Sequence, residues 1–61
     1  MTRYVIYITA TGVISMVVAG SRSLAEMNLR EGEALLEHAG FVSAAKHRVD
    51  VTTEPPAVVA R

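Results

Sequence analysis

Few residues in this 61-residue chain are of types that do chemistry, and they are scattered. The only imidazoles are His38 and His47, and Glu33 and Glu37 form a carboxylate pair at i,i+4 spacing. A zinc site needs three or four converging ligands whose orientation is fixed by further partners. Glu33, Glu37, His38 and His47 would supply the number, but their spacing matches no metal-binding signature. Surface histidines are therefore the reading carried forward. If residues 33–37 are helical, Glu33 and Glu37 form a solvated stripe, and acid–base catalysis would still require a cleft around them. Ser15, Ser21, Ser23 and Ser43 lack the context of a nucleophile elbow. Thr11-Gly12 and Gly20-Ser21 complete neither GxxxxGK[ST] nor GxGxxG, so no phosphate loop is expected. Nucleophile, base and pocket do not come together. The sequence thus predicts no catalytic residue, no cofactor and no metal site.

What these residues sit on is set by an apolar block. From Tyr4 to Ala19 the chain reads Y-V-I-Y-I-T-A-T-G-V-I-S-M-V-V-A, and Arg3 is the only ionised side chain before Arg22. A membrane-spanning helix needs about 20 apolar residues, and this run is shorter and carries Thr9, Thr11, Gly12 and Ser15. A secretory signal is a second option, with Arg3 as its basic start and Ala19-Gly20 as small residues near a cleavage point. The residue types favour a sheet instead. Tyr, Val, Ile and Thr suit a pleated surface and lose rotamer freedom in helices. Gly12 supplies the positive φ of a tight turn. A β-hairpin is expected, Arg3–Thr9 with Val13–Ala19. With strict alternation, Tyr4, Ile6 and Ile8 share one face of the first strand, and Val5, Tyr7 and Thr9 the other. In the second strand Val13, Ser15 and Val17 would oppose Ile14, Met16 and Val18.

Beyond Gly20-Ser21, Ser23-Leu-Ala-Glu26 matches a capping box at a helix start. Two readings of the next stretch stay open. One is an amphipathic helix from Leu24 to His38, weakened by Gly32 at roughly 1 kcal/mol relative to Ala. The other is a short helix, Leu24–Leu29, a break at Arg30-Glu-Gly32, and a strand, Glu33–Glu37. Phe41-Val42 is a small apolar anchor. Lys46–Thr52 alternates as a strand with Val49 and Val51 on one face, Glu54-Pro55-Pro56 is a turn, and Ala57–Ala60 is a last extended piece fit for an edge. The expected fold is mostly β in one domain, 1–61: small antiparallel hairpins at residues 3–19 and about 46–60, with a short helical segment near 23–30.

Composition bounds the partners. Net charge is zero and the pI is near 6.7, and Arg22, Arg30, Lys46 and Arg48 are scattered among Glu26, Glu31, Glu33, Glu37 and Asp50. Phosphate binding needs clustered cations, so nucleic acid is not an expected partner. There is no cysteine, and hydrophobic residues make up 51% of the chain although Tyr4, Tyr7 and Phe41 are its only aromatics. A domain this small buries only about 60% of the surface its unfolded chain exposes. Two apolar faces on one hairpin therefore predict cover from other chains, in a closed homo-oligomer or a larger assembly. The expected interface is Tyr4, Ile6, Tyr7, Ile8, Val13, Ile14, Met16, Val17 and Val18, with Val58 and Val59 from the tail. The tail itself, Pro55–Arg61, is expected to be held by a neighbouring subunit or a larger assembly.

The order of pieces resembles small proteins encoded among the tail genes of bacteriophages that infect proteobacteria. Those have an N-terminal YVVYD-x-x-TG-x-I hairpin, a GEAVLEG-like strand and a YVD-x-x-TGEVV-x-R-P hairpin. The matching pieces are Tyr4-Val-Ile-Tyr7 with Thr11-Gly12-Val13-Ile14, then Arg30-Glu-Gly-Glu-Ala-Leu-Leu-Glu37, then Arg48-Val-Asp50 and Ala57-Val-Val-Ala-Arg61. Ile8 stands where the pattern has Asp, and Glu54-Pro55-Pro56 replaces its second Thr-Gly. The resemblance implies a non-enzymatic structural component of the virion, in the tail tip, baseplate or fibre region, assembled in the host cytoplasm on other tail proteins. It implies a strand rather than a helix at residues 33–37, and the fibre analogy suggests a trimer. The rivals are a membrane-associated or secreted peptide using residues 4–19 as anchor or signal, and a fibre-assembly helper or other small binding protein.

Overall fold

The computed structural model describes residues 2–61. Its elements are β1 (Thr2–Ile8), β2 (Ile14–Ala19), α1 (Arg22–Met27), β3 (Glu33–Ala39), β4 (His47–Asp50) and β5 (Ala57–Ala60). The fold is mostly β, with two antiparallel sheets and one short helix.

The β-branched front end forms the expected hairpin. β1 and β2 pair antiparallel from Arg3–Ala19 to Tyr7–Ile14. Gly12 takes φ +82° in the turn. Its N–H donates to the Ile8 carbonyl at 2.7 Å, while the Ile8 N–H donates to the Val13 carbonyl at 2.9 Å. Strict alternation fails in β2. Ile6 faces Met16 but Tyr7 faces Ile14, so Ser15 is the extra residue of a β-bulge. The inserted residue reverses the side-chain parity across it. Ile14 and Val17 therefore share one face and Met16 and Val18 the other, which corrects the grouping of Ile14 with Met16 and Val18.

The middle of the chain is helix, break and strand, and the long helix over residues 24–38 is ruled out. The cap of helix α1 lies two residues before the expected cap, Ser23. It is Ser21, whose hydroxyl oxygen accepts the Leu24 N–H at 3.2 Å. Glu26 instead meets Arg22 at 3.4 Å on the exposed side. Gly32, at φ +83°, then turns the chain. Its carbonyl accepts both the Thr9 N–H at 3.0 Å and the Thr9 hydroxyl at 3.1 Å. That clasp feeds β3 antiparallel onto the free side of β1, from Ile8–Glu33 to Thr2–Ala39. The sheet order is β2-β1-β3. Strand pairing wins over helix here because β1 offers a whole ladder and a greasy surface to Ala34, Leu35 and Leu36, while Gly32 weakens the helix.

The second hairpin pairs β4 with β5, from His47–Ala60 to Asp50–Ala57. Its turn contains a cis Glu54–Pro55 peptide. The strand ends at Asp50, so Val51 leaves the pleat: Val49 is fully buried while Val51 is exposed, not paired with it on one face. The tail is held inside the chain, contrary to the expectation that a neighbouring subunit or a larger assembly holds it. β5 is paired, and the Arg61 N–H donates to the Lys46 carbonyl at 2.9 Å.

Two small cores flank β1. Val5, Tyr7, Ile14, Val42 and Val49 form one, with Val17, Ala34, Leu36 and Val58 packed around them. Ile6, Val18 and Ala25 form the other, with Tyr4, Leu29 and Leu35. The second hairpin covers the first face of the sheet and α1 covers the second. The expectation that other chains must supply this cover is corrected. Short as it is, the chain folds its own back half over both sides, because β3 completes the sheet and frees β4, β5 and α1 to act as lids.

Candidate interaction surface

The fold divides the expected interface residues into three groups. Ile6, Tyr7, Ile14 and Val18 are buried within the chain. They are core residues, and the expectation that they meet a partner is corrected. Tyr4, Val17, Val58 and Val59 are half-buried, three of them packed against the cores. Ile8, Val13 and Met16 remain exposed. Leu24, Met27, Phe41 and Val51 join them as large exposed apolar side chains. Met27 and Phe41 are the barest, at 82% and 71% accessible. None of these four was among the expected interface residues. Met27 carries a signal in hindsight, since Ala25 and Leu29 at i,i+4 define the inward stripe of α1 and leave Met27 off it.

The outer strands are β2 and β3, and each leaves one ladder without a strand partner among the described residues. An unpaired ladder is a row of backbone donors and acceptors able to take another strand. On β2 it is bordered by Val13 before the strand and Met16 within it, both exposed.

Beside Met16 the bulge opens a small cleft of about 90 Å³, lined by Ile6, Ser15, Met16, Asn28, Arg30 and Glu33. The Ser15 hydroxyl donates to the Glu33 carboxylate at 2.7 Å, and the other oxygen of that carboxylate accepts the Arg30 N–H at 3.1 Å. Glu33 therefore staples the bulge to the β3 entry. Ligand pockets usually span about 300–1,000 Å³, so this cleft admits little more than solvent. It contains a hydroxyl and a carboxylate but no imidazole.

The four residues drawn together as a possible metal set do not converge. Glu33 and Glu37 lie on one face of β3, four residues apart along a strand, which is roughly 13 Å at 3.3 Å per residue. The neighbouring residue His38 points to the opposite face, across from Arg3, and His47 lies in the other sheet. Among the described residues no cluster of three or more His, Cys, Asp or Glu could hold a metal ion. None of their helices is long and apolar enough to cross a membrane.

One carboxylate is electrostatically tuned. The Thr52 hydroxyl and the Thr52 N–H both donate to Asp50 Oδ1. These bonds, the hydroxyl foremost, hold the Asp50 carboxyl below its ordinary range, with Arg48 adding a smaller pull in the same direction. The arrangement fixes the start of the β4–β5 turn, and the Thr53 hydroxyl extends it by donating to the Asp50 carbonyl at 3.1 Å.

Comparison with protein families, curated proteins and solved structures finds no match for this chain.

Proposed function

We propose that the protein is a non-enzymatic structural component of a phage virion, in the tail tip, baseplate or fibre region, and that it packs on other tail proteins. The observation that carries this reading is the open ladder of β2 with Val13 and Met16 exposed beside it. A partner strand added there would gain backbone hydrogen bonds for affinity and apolar contacts for fit. The tail-gene resemblance of the Tyr4–Ile14, Arg30–Glu37 and Arg48–Asp50 pieces supports the virion setting. The contact is narrower than the sequence suggested, because the sheet faces are already covered and only the rim is free.

The test is mass spectrometry of purified particles, coupled to a Val13→Asp/Met16→Asp double variant. The wild-type chain should be present in particles. The variant should fold, by circular dichroism, yet be missing from them. Absence of the wild-type chain from particles sinks the reading in favour of an assembly helper. Normal incorporation of the variant rejects the β2 contact.

A further inference from the structure

The connection from β3 to β4 is fastened by a bond that requires an uncharged imidazole. Ser43 and His47 exchange two hydrogen bonds. The His47 N–H donates to the Ser43 carbonyl at 2.8 Å, and the Ser43 N–H donates to His47 Nδ1 at 3.0 Å. An imidazole nitrogen accepts only while it carries no proton, and both nitrogens are donors in the cation. Nδ1 must therefore be the bare nitrogen, with the proton of the neutral ring on Nε2. Protonation at Nδ1 would set two N–H groups against each other.

Along β4 the side chain of Arg48 alternates to the face opposite His47. Arg61 follows Ala60, the residue paired with His47, and its guanidinium donates to the Ala44 carbonyl at 3.4 Å. The hydrogen bonds described in this turn include no carboxylate. The Phe41 ring meets the imidazole edge-on, with centroids 6.2 Å apart. A proton gained at Nδ1 would thus cost the ring its hydrogen bond from the Ser43 N–H. The residue next to Ser43 is Val42, which is buried in the core under the second hairpin. Because the two are adjacent, a shift of the Ser43 backbone acts directly on that buried side chain.

We propose that His47 is an acid-sensitive latch: protonation releases residues 41–46, withdraws Val42 from the core and loosens the second hairpin from the sheet. Histidine is the side chain type whose ordinary charge change lies nearest neutrality, so mild acidification, where ordinary carboxylates stay ionised, is the condition under which the latch is tested.

Amide hydrogen exchange on the intact protein tests this, with rates expressed as protection relative to the unfolded chain at each pH. Between about pH 7.5 and about pH 5, protection of the Ser43 and Lys46 amides should fall by ~tenfold or more, following the fraction of charged imidazole. Amides of β1 should hold. In His47→Asn the side-chain oxygen takes the place of Nδ1 and cannot be protonated, so Ser43 should stay protected at both pH values. In His38→Asn the wild-type response should persist. Unchanged Ser43 protection in the wild type overturns the proposal, as does an equal loss in His47→Asn. If His47→Asn does not fold, the wild-type imidazole decides alone: its ¹⁵N shifts must show a bare Nδ1 at the higher pH and lose it in step with the Ser43 amide. A ring protonated on Nδ1 at the higher pH overturns the latch.

Discussion

Gly12 and Val49 are locked together by their backbones. The Val49 N–H donates to the Gly12 carbonyl at 2.8 Å, and a Cβ on Gly12 would collide with the Val49 carbonyl oxygen. The turn of the first hairpin is thereby seated on the first strand of the second. This is the point at which the two sheets are joined by a hydrogen bond, and only glycine allows the approach.

Replacing Gly12 with Ala should therefore be among the most damaging single changes. The residue is held at φ +82°, a conformation that costs an L-residue roughly 1–2 kcal/mol, and the collision adds to it. We expect a loss of at least ~2 kcal/mol, which is a large share of what so small a domain has. Urea unfolding measures it. A midpoint within experimental error of the wild type would refute the seating.

The core assignments make a graded series. Ile6→Ala removes a fully buried side chain and should destabilise by about 2–5 kcal/mol. Val13→Ala lies on an exposed residue and should stay within about 0.5 kcal/mol. Equal effects of the two, read from thermal or urea unfolding, would contradict burial of β1 within its own chain.

The helix start separates two serines. Ser21→Ala removes the cap of α1 and should cost about 1 kcal/mol, whereas Ser23→Ala should be nearly neutral. The reverse order would restore the capping box at Ser23 and Glu26.

Asp50 gives a pH prediction with a definite sign. Its folded-state value is held down by the Thr52 bonds, so the stabilisation is present above the unfolded carboxyl value, near pH 4. It is lost as the pH falls through the depressed folded value. Thr52→Val should lower stability at neutral pH and make the acid-side decline shallower than in the wild type. Parallel curves of urea midpoint against pH would show that the bonds contribute nothing.

A monomeric state in solution is the expected consequence of self-coverage. Light scattering at micromolar concentration should give the mass of one chain. A stable trimer would show that the rim alone supports self-association.

Much of the fold was readable from residue types. β-branched runs on either side of Gly12 sufficed for the first hairpin, whereas Gly32 between Leu29 and Glu33 only weakened the long helix and left the helix-to-strand change as one of two open readings. The bulge was not readable, since nothing local distinguishes Ser15 from a regular outward-facing serine. Its signature is the pairing of Glu33 with the Ser15 hydroxyl, a contact made across 18 residues. The assignment of the apolar surface failed for a related reason. Periodicity shows that both faces of β1 are greasy, but not that β4, β5 and α1 will return to cover them, because that depends on long-range topology. Ser43 and His47 were also invisible as a pair, being two ordinary residues until the backbone turn brings an amide to the ring nitrogen.

Strand β1 has both of its ladders filled, by β2 on one side and β3 on the other. It has no private route to solvent. Its amides are the ones expected to exchange most slowly, and those of the helix and the second hairpin sooner. Thr2–Ile8 is thus the strand expected to yield last, and whatever grips the rim grips the periphery of a unit anchored at its centre.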